Sequence, residues 1–140
     1  MRDVVEAAGP RKRILRPHVL LRLLPVVAAV LTYFVMAIHG TAHKSGTFDE
    51  FPHVTAGYSY WAFNDYRLQP ENGNWPQRLV ALPLVLSGAA FPSLDQSAWR
   101  KSDMWRLSDQ FFFRGSDADG MLRSARMMAA LVGALLGVLV

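Results

Sequence analysis

The sequence predicts an all-α membrane protein, and three observations carry the prediction. Residues 19–38 are an apolar run, residues 127–140 are a second one, and a block of arginine and lysine stands directly before the first. They divide the chain into four parts: a basic cytoplasmic leader at 1–18, a first transmembrane helix at 19–38, an extracytoplasmic loop with amphipathic helices at 39–120, and the start of a second transmembrane helix at 121–140. Bulk composition does not give this division. With 51% hydrophobic and 19% charged residues the chain looks like an ordinary soluble domain. The distribution decides.

The formal net charge of +4 is carried by the segment ending at Arg22, where Arg2, Arg11, Lys12, Arg13, Arg16 and Arg22 oppose only Asp3 and Glu6. Beyond it, acidic and basic residues balance. Basic residues abutting an apolar run read as a cytoplasmic anchor attracted to anionic lipid. The rival, an arm for nucleic acid, is disfavoured by that apolar neighbour, so the bilayer is the expected partner and nucleic acid is not. The absence of cysteine excludes disulfides and cysteine-based zinc or redox chemistry.

Residues 19–38 are apolar apart from Arg22 and Thr32. About 20 residues at 1.5 Å rise cross a hydrocarbon core of roughly 30 Å. Arg22 lies within a turn of the cytoplasmic end and can snorkel to the headgroups. Pro25 falls near the expected start, where a missing amide costs least, and Tyr33 and His39 suit the far interface. A cleaved signal peptide is the competing reading, with Gly40-Thr41-Ala42 as its small-residue site; the length of the apolar run favours a retained helix. On either reading, the chain beyond this run leaves the cytoplasm.

The loop is too rich in tryptophan, tyrosine and proline for a disordered linker. Asp49 suits an N-cap with Pro52 in the first turn, predicting a helix to about Asn64. The segment 66–74 reads as a loop with an Asn-Gly turn. The apolar stretch 78–90, interrupted by Pro83, predicts an interfacial or re-entrant helix. Trp99, Trp105 and Phe111-Phe112-Phe113 suit an interfacial aromatic belt. The last apolar run carries Gly133 and Gly137 at the spacing that lets membrane helices pack closely. It reads as a transmembrane helix of a longer, polytopic protein, the competing reading being a buried core helix.

Helical periodicity places Asp49, His53, Gly57, Tyr60 and Asn64 on one polar stripe. A carboxylate there could act as general base on a hydroxyl acceptor, or Asp49 could only cap the helix while Glu50 complements its dipole. Asp49, Glu50 and His53 also offer donors for a divalent cation, although a lone surface histidine is the default. Arg123 and Arg126 open the second span on its outer side, against the positive-inside bias. Binding a phosphate there, or snorkelling at a helix end, would account for them. Arg78 and Arg67 are weaker candidates of the same kind. No Gly-rich phosphate loop, His-Glu-x-x-His or Gly-x-Ser-x-Gly occurs, so nucleotide hydrolysis and serine-hydrolase chemistry have no support.

From about Leu20 to Val140 the ordered set resembles the start of a lipid-linked-sugar glycosyltransferase of glycosyltransferase family 39, the protein-mannosyltransferase and aminoarabinose-transferase type. The residues that carry it are the run Thr47-Phe48-Asp49-Glu50-Phe51-Pro52-His53 through Tyr60, then Asp65-Tyr66-Arg67-Leu68-Gln69-Pro70-Glu71 and Ala81-Leu82-Pro83-Leu84. The resemblance implies a GT-C-type polytopic helical fold in a bacterial cell membrane, with the N-terminus cytoplasmic. It implies an inverting transfer from a polyprenyl-phosphate sugar donor to a protein, lipid or glycan hydroxyl, with Asp49 and Glu50 as the catalytic pair. Arg126, Arg123, Arg78, His53 and Tyr60 would bind substrate or lipid phosphate, and no cofactor beyond an optional divalent cation is expected. The chain departs from many relatives at Asn74-Trp75-Pro76-Gln77-Arg78, where they carry consecutive prolines; donor and acceptor therefore stay open. The reading from a different class is a non-enzymatic membrane anchor or assembly protein whose aromatic loop binds a partner.

Overall fold

The computed structural model describes residues 17–114 and 117–139, so the leader up to residue 16 lies outside the described residues. Among the described residues six helices succeed one another: α1 (Pro17–Thr41), α2 (Glu50–Ala62), α3 (Asn74–Leu86), α4 (Ser97–Arg100), α5 (Met104–Phe113) and α6 (Ala118–Leu139). The described residues contain no strand.

The first and last helices are long and apolar enough to cross a membrane. Their apolar surface is left largely uncovered by the rest of the chain: Leu24 is 63% exposed, Met36 68% and Leu136 57%. The helix at α1 begins earlier than residue 19 and runs past residue 38. Pro25 is therefore interior rather than in the first turn, and its missing amide leaves the carbonyl of Leu21 without a helical partner. Thr32 and Thr41 hide their hydroxyls by donating to the carbonyls of Ala28 and Ala37, each at 2.8 Å. Tyr33 is exposed along its ring yet reaches α6 with its hydroxyl. Its hydroxyl rests where a Cβ on Gly133 would sit, and Val30 lies 3.7 Å from the corresponding point on Gly137. Higher positions in α6 meet lower positions in α1, so the two helices pack antiparallel through the small-residue face.

Between these helices the loop folds into a packed helical unit. α2 is buried along most of its length, against α3, α5 and α6. Gly57 permits this: the carbonyl oxygen of Gln77 stands 2.0 Å from where a Cβ would be, so α3 approaches α2 more closely than any other residue would allow. The interfacial helix expected at 78–90 is instead α3, shifted toward the N-terminus. Pro76 occupies its first turn, and Gly88 at φ 68° closes it. There the amide of Ala89 donates to Leu84 and that of Gly88 to Val85, satisfying the last carbonyls. Because Gln77, Ala81 and Leu84 are buried, α3 is part of a core and does not simply lie on a surface.

The aromatic stretch divides between roles. Trp99, Phe111 and Phe112 are buried, whereas Trp105 and Phe113 remain exposed. One cluster gathers Val54, Tyr58, Leu84, Phe111, Phe112 and Leu122; another gathers Tyr60, Leu68, Trp99 and Leu107. Phe91 packs against both, stacking on Tyr58 with ring centroids 5.3 Å apart. Tyr58 completes the join by donating to the Ala89 carbonyl at 2.7 Å. α6 thus serves two layers. Leu122 and Ala125 belong to the core of the unit, and farther along the helix Gly133 and Gly137 meet α1.

Candidate functional site

The acidic pair sits where α1, α2 and α6 converge, and its two carboxylates have different fates. Glu50 is bound bidentately by Arg126, with Nε to Oε1 at 2.9 Å and Nη2 to Oε2 at 2.7 Å. Its Oε2 also accepts the amide of Thr47 at 2.8 Å. The remaining guanidinium N–H groups donate to the carbonyls of Thr41, Lys44 and Ser45. All the donors that an arginine possesses are thereby used. Arg126 ties the end of α1 and its adjoining loop to α2 and α6. The hydrogen bonds from Arg126 hold the Glu50 carboxyl below the usual carboxylate range, against the opposing effect of partial burial.

Asp49 is exposed, and among the described residues its carboxylate has no hydrogen-bond or ion-pair partner. Contrary to the expectation from sequence, its side chain does not cap α2. Its backbone is already helical, φ −81° and ψ −20°, which turns the side chain away from the amides that a cap in extended conformation would reach. In the first turn the amide of Glu50 donates to the Thr47 carbonyl at 3.1 Å and that of His53 to the Asp49 carbonyl at 3.3 Å.

The expected polar stripe also changes meaning. Gly57 and Tyr60 face α3 and the core rather than solvent, and α2 ends before Asn64. Tyr60 is 2% exposed and donates to the Gln69 carbonyl at 3.0 Å. Burial, with Glu71 and Tyr66 nearby, pushes its hydroxyl up to about 12. As a core residue it is not placed to touch a substrate. Arg78 is likewise held elsewhere: its guanidinium lies 4.8 Å from the Trp61 ring centre and 5.4 Å from that of Tyr66, donating to the Tyr66 hydroxyl and the Tyr60 carbonyl. Arg67 pairs with Asp65 at 2.7 Å.

A cleft of about 380 Å³ opens between α2, α3 and α6. Val54, Val80, Leu122 and Ala129 form apolar walls, and Glu50, His53, Gln77 and Arg126 bring polar groups to it. The structure therefore gathers His53, Glu50 and Arg126 from the sequence-based set, and leaves Asp49, Arg78 and Tyr60 outside the lining. Arg123 lies beside it, in a smaller polar recess of about 220 Å³ with Thr41, His43, Lys44, Ser45 and Asp119. Among the described residues Arg123 has no hydrogen-bond or ion-pair partner, in contrast to Arg126.

No family model, curated protein or solved structure matches this chain. Among the described residues no three histidine, aspartate or glutamate side chains gather closely enough to hold a metal ion. Of the three considered for a divalent cation, Glu50 is taken by Arg126 and His53 by two amides.

Those amides, Gln69 and Gln77, are the site residues that sequence reasoning missed. His53 Nδ1 lies 2.7 Å from Gln69 Oε1 and 2.8 Å from Gln77 Nε2, and Gln77 Nε2 donates to Gln69 Oε1. Both glutamines are 4% exposed. The only trace in the sequence is that Gln77 adjoins an apolar run, a weak signal that many surface glutamines would share, and Gln69, in the polar segment 65–74, leaves none.

Proposed function

We propose that the chain is part of an inverting, membrane-embedded glycosyltransferase of GT-C type, taking its sugar from a polyprenyl-phosphate donor at the extracytoplasmic face. In this reading α1 and α6 span the membrane, the N-terminus is cytoplasmic, and the packed unit between them lies outside. The support comes from one contrast within the acidic pair: Glu50 is committed to Arg126, while Asp49 beside it is exposed and unpartnered among the described residues. A base must be free to take a proton, and only Asp49 of the two is. Asp49 withdraws the proton of an acceptor hydroxyl. The hydroxyl oxygen bonds to the anomeric carbon as the carbon–oxygen bond to phosphate breaks on the opposite face, releasing polyprenyl phosphate.

Within this scheme the roles of the basic residues shift. Arg126 positions the pair, and Arg123 with Lys44 in the polar recess is the better partner for the leaving phosphate, because its N–H groups are uncommitted among the described residues. The test is Asp49→Asn in a chain that joins these residues to the further spans the resemblance implies. Positioned general-base catalysis is worth roughly 10² to 10⁴ in rate, so transfer should fall by about 10² or more at matched protein level. Near-normal turnover would leave the reading without its base.

The anchor reading draws on a different observation. Phe48 and Trp105 stack with centroids 4.0 Å apart while both rings stay exposed. If that pair exists to bind a partner, Phe48→Ala should abolish capture of that partner and spare any transfer.

A further inference from the structure

α3 runs antiparallel to α6. Toward its C-terminus, Pro83, Leu84 and Ser87 face Gly120, Met121 and Ser124 across a recess. Toward its start, Pro76, Gln77 and Val80 share the larger cleft with Leu122, Ala125 and Ala129. The register that sets Leu84 beside Met121 carries Pro76 down to the level of Ala129, and Trp75 to about that of Ala130. On another face of α6, Tyr33 meets Gly133 and Val30 stands by Gly137, so Ala130 is level with about Met36 of α1. Trp75 therefore lies at the height of the apolar run 19–38, not above it. Arg126, bonded to the Thr41 carbonyl, marks the end of α1. From Arg126 to Ala130 is about one helical turn, roughly 6 Å along the axis. The tip of α3 reaches that much deeper than the Arg126 clamp.

The tip has the composition for such a depth. Between Glu71 and Arg78 the run Asn72-Gly73-Asn74-Trp75-Pro76-Gln77 carries no charge. Pro76, in the first turn, has no amide to leave unpaired. Trp75 is 67% exposed. Each of the other three tryptophans has a ring or cation against it: Trp61 lies under Arg78, Trp99 meets Phe91, and Trp105 stacks on Phe48. Among the described residues Trp75 has no such partner, and its indole N–H has no acceptor, whereas that of Trp61 donates to the Arg78 carbonyl. A free tryptophan on an uncharged tip, held beside two long apolar helices, matches the headgroup–acyl boundary. There the ring lies among acyl chains while its N–H reaches ester or phosphate oxygens.

We propose that the tip of α3 is seated end-on in the outer leaflet of the bilayer, with Trp75 as its anchor at the headgroup–acyl boundary. The proposal rests on α1 and α6 crossing the membrane and is independent of sugar transfer. It differs from a helix lying flat on the surface, because the face carrying Gln77, Ala81 and Leu84 stays in the protein core. A third point of contact beside α1 and α6 keeps the packed unit from swinging about the two spans.

The experiment uses the whole chain, labelled with 5-fluorotryptophan, in phosphatidylcholine nanodiscs. Trp75→Phe identifies the Trp75 fluorine line by its loss. Leu31→Trp, at a position 57% exposed within the apolar run of α1, adds a line that reports the span itself. Three paramagnetic probes are compared: a phosphatidylcholine with a nitroxide near the top of its acyl chain, one with the nitroxide near the middle, and a gadolinium chelate in the water. Trp75 should lose most of its signal to the upper nitroxide, less to the deeper one, and little to gadolinium. Leu31→Trp should respond most to the deeper nitroxide. A Trp75 line that gadolinium broadens and neither nitroxide touches, or that no probe touches, would overturn the proposal, while a Leu31→Trp line responding as expected keeps the spans. A Leu31→Trp line broadened by gadolinium instead would remove the spans and the proposal together. The expected depth response at Trp75, in a protein that transfers no sugar, would leave the insertion standing and count against the transferase alone.

Discussion

Replacing Arg126 by methionine keeps an unbranched apolar stem and removes every donor, so it isolates what the guanidinium does. In the native protein those donors satisfy Glu50 twice, the carbonyl of Thr41 at the end of α1, and two carbonyls of the loop after it. The ion pair is partly buried, with side-chain exposures of 13% for Arg126 and 31% for Glu50. Exposed pairs are worth about 0 to 1 kcal/mol, and breaking a fully buried one costs about 3 to 5. An intermediate site with extra carbonyl partners should lose about 2 to 3 kcal/mol, since the carbonyls can regain water but Glu50 stays half-enclosed. At about 1.4 kcal/mol per factor of ten, the folded-to-unfolded ratio should drop by roughly 30- to 150-fold. Reversible unfolding in mixed micelles, followed by tryptophan fluorescence, measures it. Combining Arg126→Met with Glu50→Gln provides the internal check: the double variant should be little worse than the worse single one, because one interaction cannot be lost twice. Additive losses, or an Arg126→Met variant within about 0.5 kcal/mol of the parent, would refute the clamp.

The same contacts give three more expected outcomes. Glu50's contribution to stability should be fully present above its ordinary value of 4.5 and be lost as pH falls through its lowered folded value, because a carboxyl whose folded value is lowered contributes only while ionised; that part of the acid loss should vanish in Arg126→Met, leaving the part due to Asp65, as an acid titration of the unfolding midpoint would reveal. Gly57→Ala places a Cβ 2.0 Å from the Gln77 carbonyl oxygen, where carbon–oxygen contact needs about 3.3 Å. Helices α2 and α3 must part, so the same unfolding assay should read a loss of about 3 kcal/mol or more. Gly133→Val should weaken α1–α6 packing by displacing the Tyr33 ring, whereas Gly137→Ala, with its nearest atom at an ordinary 3.7 Å, should fall within about 0.5 kcal/mol of the parent.

The helical character of this chain is legible because it is written in long, local signals. One apolar run of membrane length and a shorter second one survive errors in their ends, and the differences do lie at the ends: α1 and α6 both begin before the residues where apolarity becomes continuous. The small-residue spacing at Gly133 and Gly137 announces a packing face and meets one. The packed unit is harder to read. A polar stripe counted at 100° per residue takes no account of what covers it, and Gly57, polar only by default, is the point where α3 presses closest. Aromatic residues beside a membrane suit a belt and a core equally well. What decides for Phe111 and Phe112 is contact with Val54 and Leu122, residues that no local pattern connects to them.

The site resists reading for a sharper reason. Asp49 and Glu50 are adjacent and chemically alike, so sequence treats them as one motif and ranks them by position on a helix. By that ranking Glu50, off the stripe, is the bystander. The fold gives Glu50 a partner 76 positions away, Arg126, and an ion pair of such separation leaves no periodic trace. Arg126 does leave one clue, since on the topology the sequence predicts it is a basic residue on the outer side of a span, which calls for a local anion. A phosphate and the protein's own carboxylate satisfy that demand equally, and only the geometry shows Glu50 filling it. Once Glu50 is occupied, the chemistry left to the pair narrows to the neighbour with no partner. The Arg126 clamp thus does more than stabilise: by committing one carboxylate and tying down the loop before it, it fixes where the backbone carries Asp49. Arg126→Met should accordingly impair any Asp49-dependent transfer beyond its cost in stability, at temperatures where the variant remains folded. A folded Arg126→Met protein with undiminished turnover would show that Asp49 does not depend on the clamp for its position.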